Sequence, residues 1–326
     1  MSKKILITGG LGFLGAHCIQ KWKELDYEIH VIDNLSTNAV NTDHPLTEGV
    51  HQHICDILDV RWDQWGETKF DLILHLASPV GPVGVLKHSG KMGRIILDDI
   101  YWAIEGAKLN KCPLLFVSTS EIYGYRESKT YLQEDSDKVL KGDFTVRNEY
   151  AIAKLLSEIV LSNQAKNDPD FKYQIIRPFN ITGEFQLPDA GFVLPRFVTQ
   201  ALKGEDITVY YDGSQIRAFT WVKDIVEGIY LTSTVEENLW NEEWNLGNAA
   251  NEETILYLAE KVKEMTNTSS KIVNVEPTDL HGPLFSEAPE KIPDSTKIET
   301  LLNWKPTKGV DEVIKEVVDF YQHKNK

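Results

Sequence analysis

An α/β protein with a doubly wound parallel sheet and a smaller C-terminal α/β lobe is what this sequence predicts, on three observations. Short apolar runs alternate with helical patterns through the first half, the runs are apolar at successive positions, and a glycine-rich turn follows the first of them. The runs are "KKILITGG", "YEIHVIDN", "FDLILHLAS", "CPLLFVSTS" and "YQIIRPFN". A strand without polar alternation is buried on both faces, as in a parallel sheet covered by helices on either side. Between the runs, "GAHCIQKWKEL" and "DDIYWAIEGAKLN" carry apolar residues at helical spacing.

From about residue 181 the rhythm breaks, with Pro188, Pro195, Pro283, Pro289 and Pro293 scattered among short segments. This predicts a first domain over residues 1–180 that takes back later segments at about 216–250, and a second lobe made mainly of residues 181–326. No internal repeat or low-complexity tract interrupts the pattern.

With 326 residues, 42% of them apolar, the chain can bury a sizeable core. A net charge of −15 opposes non-specific binding to nucleic acid, which depends on neutralising phosphates. No stretch approaches the roughly 20 apolar residues of a membrane span. "MSKKILITGG" runs directly into a strand pattern, so a cytoplasmic protein without signal peptide or membrane partner is expected. Cys18, Cys55 and Cys112 are isolated, sit in apolar segments and form no CxxC pair. They are expected in the core, and neither a disulfide framework nor a metal site is expected.

"ILITGGLGFLG" places Gly9, Gly12 and Gly15 between the first strand and a helix that Phe13 and Leu14 open. Missing side chains let a pyrophosphate approach the backbone, and the helix N-terminus supplies amide donors and a favourable dipole. This is the Rossmann dinucleotide fingerprint in its proper strand–turn–helix context. Asp33 ends the second strand 18 residues beyond Gly15. A carboxylate there accepts hydrogen bonds from both ribose hydroxyls and repels a 2′-phosphate, which favours NAD over NADP. Asn34 follows it, and Asp56 with Ile57, in "HICDILD", ends the third strand where an adenine is expected. Leu76, Ala77 and Ser78, in "HLASP", complete the expected cofactor wall. As plain structure, Asp33 reads as a turn-former and Asp56 as a helix cap.

"NEYAIAKLLSEIVLSNQAK" reads as a helix with Tyr150 and Lys154 four apart on one face. An ammonium nearby favours tyrosinate and lowers the phenol pKa from about 10, which predicts Tyr150 as a base near neutrality. In "STSEIYG", Thr119, Ser120 and Glu121 stand where the "CPLLFV" strand ends, a cluster that also reads as a helix cap.

With these features the chain resembles the extended short-chain dehydrogenase/reductase family, the NAD-dependent nucleotide-sugar epimerases, dehydratases and decarboxylases. The likeness rests on "TGGLGFLG", Asp33, "HLASP", "STSEIYG", Tyr150 with Lys154, "RPFN" at 177–180, "DGSQIRAFTWVKDIVEG" at 212–228, "WNLGN" at 244–248 and "LLNWKP" at 301–306. It implies that the first domain binds NAD and the second lobe a nucleotide sugar, with a UDP-sugar favoured. It implies that Tyr150 takes the proton of the sugar's 4-hydroxyl while hydride leaves carbon 4. Lys154 would hold the nicotinamide ribose, and Thr119 would bond the sugar hydroxyl. Asn180 and Arg217 fall on positions that contact the nucleotide diphosphate in relatives, and Arg196 is expected to join them. Relatives commonly dimerise through two helices per subunit, so a homodimer through "DDIYWAIEGAKLN" and the Tyr150 helix is expected.

The 4-keto-sugar is the branch point of the family's reactions. Hydride returned on the other face gives a 4-epimerase, and removal of the carbon-5 proton with loss of water gives a 4,6-dehydratase. A carbon-6 carboxylate can instead depart as carbon dioxide. Glu121 in a Thr-Ser-Glu run resembles the lyases, GDP-mannose dehydratases and UDP-glucuronate decarboxylases, more than the plain epimerases. Glu121 would be the carbon-5 base of a dehydratase, and Ser120 would serve as proton donor in either lyase. "HLASP" and Arg147 resemble the decarboxylases, whereas the arginine those carry near the C-terminal "KP" segment is represented here by Lys291. A lyase leads, ahead of a 4-epimerase, a keto-sugar reductase and a non-enzymatic dinucleotide sensor. Gly81, Gly84, Gly90 and Gly93 predict a mobile loop over 80–94 that closes on the sugar.

Overall fold

The computed structural model describes residues 2–126, 128–142, 144–285 and 290–324, so Pro289 lies outside the described residues. Strands β1 (Lys4–Thr8), β2 (Glu28–Asp33), β3 (His51–Ile54), β4 (Leu72–His75) and β5 (Leu114–Val117) pair in parallel with two later strands, Tyr173–Pro178 and Glu242–Leu246. Across this seven-stranded sheet the order is β3, β2, β1, β4, β5, Tyr173–Pro178, Glu242–Leu246. The direction of winding reverses between β1 and β4, and the carboxyl ends of the strands there frame a crevice. That makes the fold a Rossmann doubly wound α/β sheet.

Apolar side chains on both faces of the sheet hold it in place. Ile5 and Ile7 of β1 pack with Ile19 and Trp22 of α1 (Phe13–Glu24), and Leu6 points into the opposite layer with Ile73, Ile100 and Phe116. Full burial of a side chain of this kind contributes about 1.5–3 kcal/mol. On the second face lie α3 (Met92–Asn110) and α4 (Val146–Asn167), which pack against each other. Cys18 and Cys112 are buried in these layers. Cys55 is only half-buried, because it follows the edge strand β3 and stands on the rim of the crevice; the expected core position holds for the other two.

The segment expected as an open loop is mostly helix. Gly81–Lys87 forms α2, with Pro82 in its first turn, where a missing N–H is harmless. The turn before α3 is tied to α4, since Glu149 accepts hydrogen bonds from Gly90 N at 2.6 Å and Gly93 N at 3.1 Å.

In the later part of the chain α5 (Val193–Lys203), α7 (Ile255–Thr266) and the helix Val310–Lys324 enclose a separate core of Phe197, Val198, Leu258, Val262, Ile314 and Val317. The parallel pair Ile207–Tyr210 and Ile272–Val275 completes that lobe. α6 (Val222–Ser233) instead joins α1 on the sheet. Its Asp224 accepts from Thr307 N at 2.9 Å and Thr307 Oγ1 at 2.6 Å, so α6 is stapled to the segment after "WKP". No helix among the described residues is long and apolar enough to cross a membrane.

Candidate active site

One continuous cavity of about 770 Å³ runs along the carboxyl ends of the strands into the C-terminal lobe. Its cofactor end is built largely from backbone. Gly9 has a φ of +67°, and an added Cβ at Gly15 would stand 2.3 Å from the Gly9 carbonyl oxygen, so a side chain at Gly15 would displace the turn. α1 has no side-chain cap at Gly12, and Gly12, Phe13, Leu14 and Gly15 lie on the cavity wall. The amides of its first turn therefore face the space where a pyrophosphate fits.

Asp33 holds the same loop from the next strand. Its two carboxylate oxygens accept from Leu11 N at 2.9 Å and Leu35 N at 2.8 Å, and burial raises its pKa against the lowering effect of these amides. A carboxylate has about four acceptor sites, so two remain for ribose hydroxyls. Asn34 donates to Asp56 at 3.3 Å, and Asp56 accepts from Leu58 N at 3.2 Å. Asp56 is thus a cap and, with Ile57, part of the cavity wall. Leu76, Ala77 and Ser78 line the cavity too. Their turn is fixed by Thr8 Oγ1, which accepts from Leu76 N and Ala77 N at 3.2 Å each and pairs with His75 Nδ1 at 2.8 Å. Glycine turn, exposed amides and ribose acceptor all fit a dinucleotide.

At the other end "STSEIYG" becomes a short 3₁₀ turn over Ser120–Tyr123 capped by Thr119, whose hydroxyl accepts from Glu121 N at 3.2 Å. The cap reading holds, and Thr119, Ser120 and Glu121 also line the cavity. α4 starts with a capping box between Thr145 and Asn148 and carries Arg147 and Tyr150 to the same wall. Tyr150 and Thr119 share this wall, and the Thr119 hydroxyl acts to lower the Tyr150 pKa. Motif residues away from the cavity hold these elements together: Arg177 pairs with Glu158 of α4 at 2.7 Å and donates to the Tyr123 hydroxyl at 3.0 Å, which in turn donates to Asn245 at 2.7 Å.

Glu121 is the electrostatic centre. Oε1 accepts from Lys291 Nζ at 2.7 Å and Oε2 from Arg147 Nη1 at 3.0 Å. Burial alone would raise its pKa, but the charges of Lys291 and Arg147, with a further contribution from Arg217, hold it at about 2. A carboxylate held that low is a weak base.

Two expectations change. Burial raises the Tyr150 pKa above the ordinary phenol range, with the Thr119 hydroxyl opposing and the Glu121 charge adding. The expected lowering by Lys154 is absent because the ammonium donates to Val117 O at 2.9 Å, at the end of β5. Lys154 lies behind the cavity wall, and burial lowers its pKa to about 7 against the opposing charges of Asp99 and Glu158.

Of the expected substrate contacts, Asn180, Arg196 and Arg217 line the cavity, whereas Lys291 reaches the site through Glu121. Asn180 donates to Ala218 O at 3.1 Å, and Arg196 lies over the Tyr210 ring at 4.0 Å. Residues that sequence reasoning missed include Tyr210, Gln215 and Phe285 at the far end and Asp99 near Lys154. Burial, with the Asp56 charge adding, raises Asp99 to about 7. The second acid of "LDDIYW" at a buried helical position was the available signal for Asp99.

Fold and site together define an NAD-dependent enzyme built on a Rossmann sheet. The chain belongs to the NAD dependent epimerase/dehydratase family, whose model matches residues 5–247. It is 30% identical over 324 residues to a UDP-N-acetyl-alpha-D-glucosaminuronate decarboxylase of Bacillus cytotoxicus, covering 99% of this chain and 98% of that one. It is also 30% identical to UDP-glucuronic acid decarboxylase 1 of Danio rerio, covering 98% of this chain and 72% of that one. Among solved structures, UDP-glucose 4-epimerase of Thermotoga maritima superposes with a TM-score of 0.86 at 23% identity, over 99% of this chain and 100% of that one. A UDP-glucuronic acid 4-epimerase from Bacillus cereus superposes at 0.82 with 23% identity, over 98% and 99%. Those two likenesses speak for the fold.

Proposed function

We propose that this enzyme decarboxylates a UDP-linked hexuronate through a 4-keto intermediate. The observation that carries this reading is the ionised Glu121 gripped by Lys291 and Arg147, with Arg217 also acting on it. Three cations around one carboxylate leave positive charge for a second anion, the carbon-6 carboxylate of a uronate. A dehydratase needs a base at carbon 5, and a carboxylate at about 2 serves that need poorly. Decarboxylation needs none. The two decarboxylase relatives named above favour the same branch.

In this reading Tyr150 acts as tyrosinate, a form that the positive charge of a bound nicotinamide favours, and accepts the 4-hydroxyl proton while Thr119 holds that hydroxyl and carbon 4 is oxidised. Bound NAD would supply the hydride acceptor, and then the hydride donor, for carbon 4. The bond between carbons 5 and 6 then breaks, its electron pair moving toward the 4-keto oxygen as carbon dioxide leaves. Ser120 delivers a proton to carbon 5 through water, and Tyr150 returns its proton to the 4-oxygen as hydride comes back. Lys154, one turn along α4 from Tyr150, would hold the nicotinamide ribose when NAD is bound. Asn180, Arg196 and Arg217 hold the nucleotide diphosphate within the lobe of residues 181–326.

Incubation with UDP-glucuronate, UDP-N-acetylglucosaminuronate and UDP-glucose, followed by mass spectrometry, tests the assignment. Loss of carbon dioxide from a uronate supports it. Loss of water would make the enzyme a dehydratase, an unchanged mass with a new stereochemistry an epimerase, and steady consumption of added cofactor a reductase. A cytoplasmic homodimer belongs to the same proposal: α3 and α4 expose Tyr101, Leu109, Ile152, Leu156 and Ile159. Gel filtration giving a monomer at micromolar concentration would remove the dimer.

A further inference from the structure

Away from the cavity, the β2–β3 edge of the sheet carries a second polar constellation. Glu28 and His30 lie two apart on one face of β2, and the parallel register sets His51 of β3 directly beside His30. His30 Nε2 is 3.0 Å from Glu28 Oε1, and His51 Nε2 is 3.7 Å from the same oxygen. All three potential ligand atoms lie within 4.8 Å of one another. Ligands around a tetrahedral ion, with bonds of roughly 2.0–2.1 Å, stand about 3.3 Å apart, and the two separations straddle that value.

The donor set has the right chemistry as well as the right spacing. Two imidazoles and a carboxylate suit zinc and neighbouring divalent first-row ions. His30 is buried, and Glu28 Oε1 already accepts from Lys4 Nζ at 2.7 Å, so a cation stands on this carboxylate in the structure. His53, two residues beyond His51, stacks 5.8 Å from His30 and keeps a buried Nε2 with no hydrogen-bond partner among the described residues, so this face holds more ligand nitrogens than donors for them.

We propose that Glu28, His30 and His51 bind one divalent transition-metal ion of the zinc class, with the fourth position left to water. The His30 and His51 rings are 18° from parallel with centroids 4.4 Å apart, so one ion cannot lie in both ring planes as they stand. Closing the site takes a rotation of His51, whose side chain is 55% exposed. It also takes the withdrawal of Lys4, which donates to Glu28 Oε1 at 2.7 Å and is itself partly exposed. None of the three ligands lines the catalytic cavity, so the ion pins the edge strand β3 to β2 and takes no part in the sugar chemistry.

Cobalt(II) added to tag-free, metal-stripped protein is the test. Wild type is expected to develop the visible absorption of tetrahedral cobalt, saturating at one equivalent and abolished by zinc. His51→Ala, which removes an exposed side chain, is expected to weaken binding by roughly tenfold or more. Zinc should raise the melting temperature of wild type and leave that of His51→Ala unchanged. Absence of the tetrahedral spectrum in wild type, or equal binding by His51→Ala, overturns the site.

Discussion

The two ends of the cavity are made by opposite means. The cofactor end is a backbone construction from the first 33 residues: a turn that excludes side chains at Gly9 and Gly15, bare helix amides, and Asp33 tying the loop through Leu11 N. The catalytic end is a gathering of charged side chains from distant segments, Glu121, Arg147 and Lys291, with Arg217 acting at longer range. The first is therefore sensitive to added atoms, and the second to removed charge or removed protons.

The largest effect is expected where the catalytic end moves a proton. Tyr150→Phe keeps the packing of α4 and removes the hydroxyl proposed to accept the 4-hydroxyl proton, so turnover should fall by about 10²–10⁴-fold with NAD binding unchanged. A variant within tenfold of wild type would place the proton elsewhere. Next comes Lys291→Met. Lys291 is almost wholly buried against Glu121, and its loss leaves that carboxylate to Arg147, so about 1.5–3 kcal/mol should be lost, read in urea unfolding. The pH dependence carries a sign. Because Glu121 is held below its unfolded value of about 4.3, it contributes stability that is complete above that pH and is lost as pH falls through about 2. The gap between wild type and Lys291→Met should thus be widest above about pH 4.3 and close toward pH 2.

The backbone end is tested by adding a methyl group. At Gly15 the new Cβ would meet the Gly9 oxygen at 2.3 Å, an overlap that backbone shifts relieve for about 1–3 kcal/mol, so both stability and NAD binding should suffer. At Gly12 the nearest atom is the same oxygen at 3.2 Å, so Gly12→Ala should fold nearly as well as wild type yet bind NAD several-fold more weakly. Calorimetry and cofactor titration on the pair separate a fold glycine from a cofactor glycine. Equal losses of stability would merge the two roles.

This contrast also explains what the sequence made legible. Strands β1, β2, β4 and β5 and the glycine turn are local: apolar runs and spacing over a few residues carry them. The Glu121 cluster joins residues 26 and 170 positions apart, and no spacing rule reaches that far. The segment 80–94 misled because its glycines outweighed Pro82 and the apolar Val85 and Leu86, which pack as α2 once the lobe is present. Tyr150 misled differently: helical spacing put Lys154 on its face, while the end of β5 offered the ammonium a carbonyl instead. The three-residue edge cluster was hidden for a related reason, since "EIH" and "HQH" meet only through the register of β2 and β3.

The last test falls at Asp33, where both designs meet. Its carboxylate accepts two backbone amides, at 2.9 and 2.8 Å, and still offers lone pairs to a ribose. Asp33→Asn leaves one oxygen, so one of the two amides then faces an NH₂ group. That loses about 1 kcal/mol of stability, the net value of one hydrogen bond, and weakens NAD binding by roughly tenfold. Removing the negative charge also removes the repulsion of a 2′-phosphate, so NADP binding should weaken less than NAD binding, or strengthen. Parallel titrations with the two cofactors read this as a ratio that is insensitive to small losses of folded protein. An unchanged ratio would mean that Asp33 serves the loop alone, and that discrimination between the cofactors lies with neighbours such as Asn34.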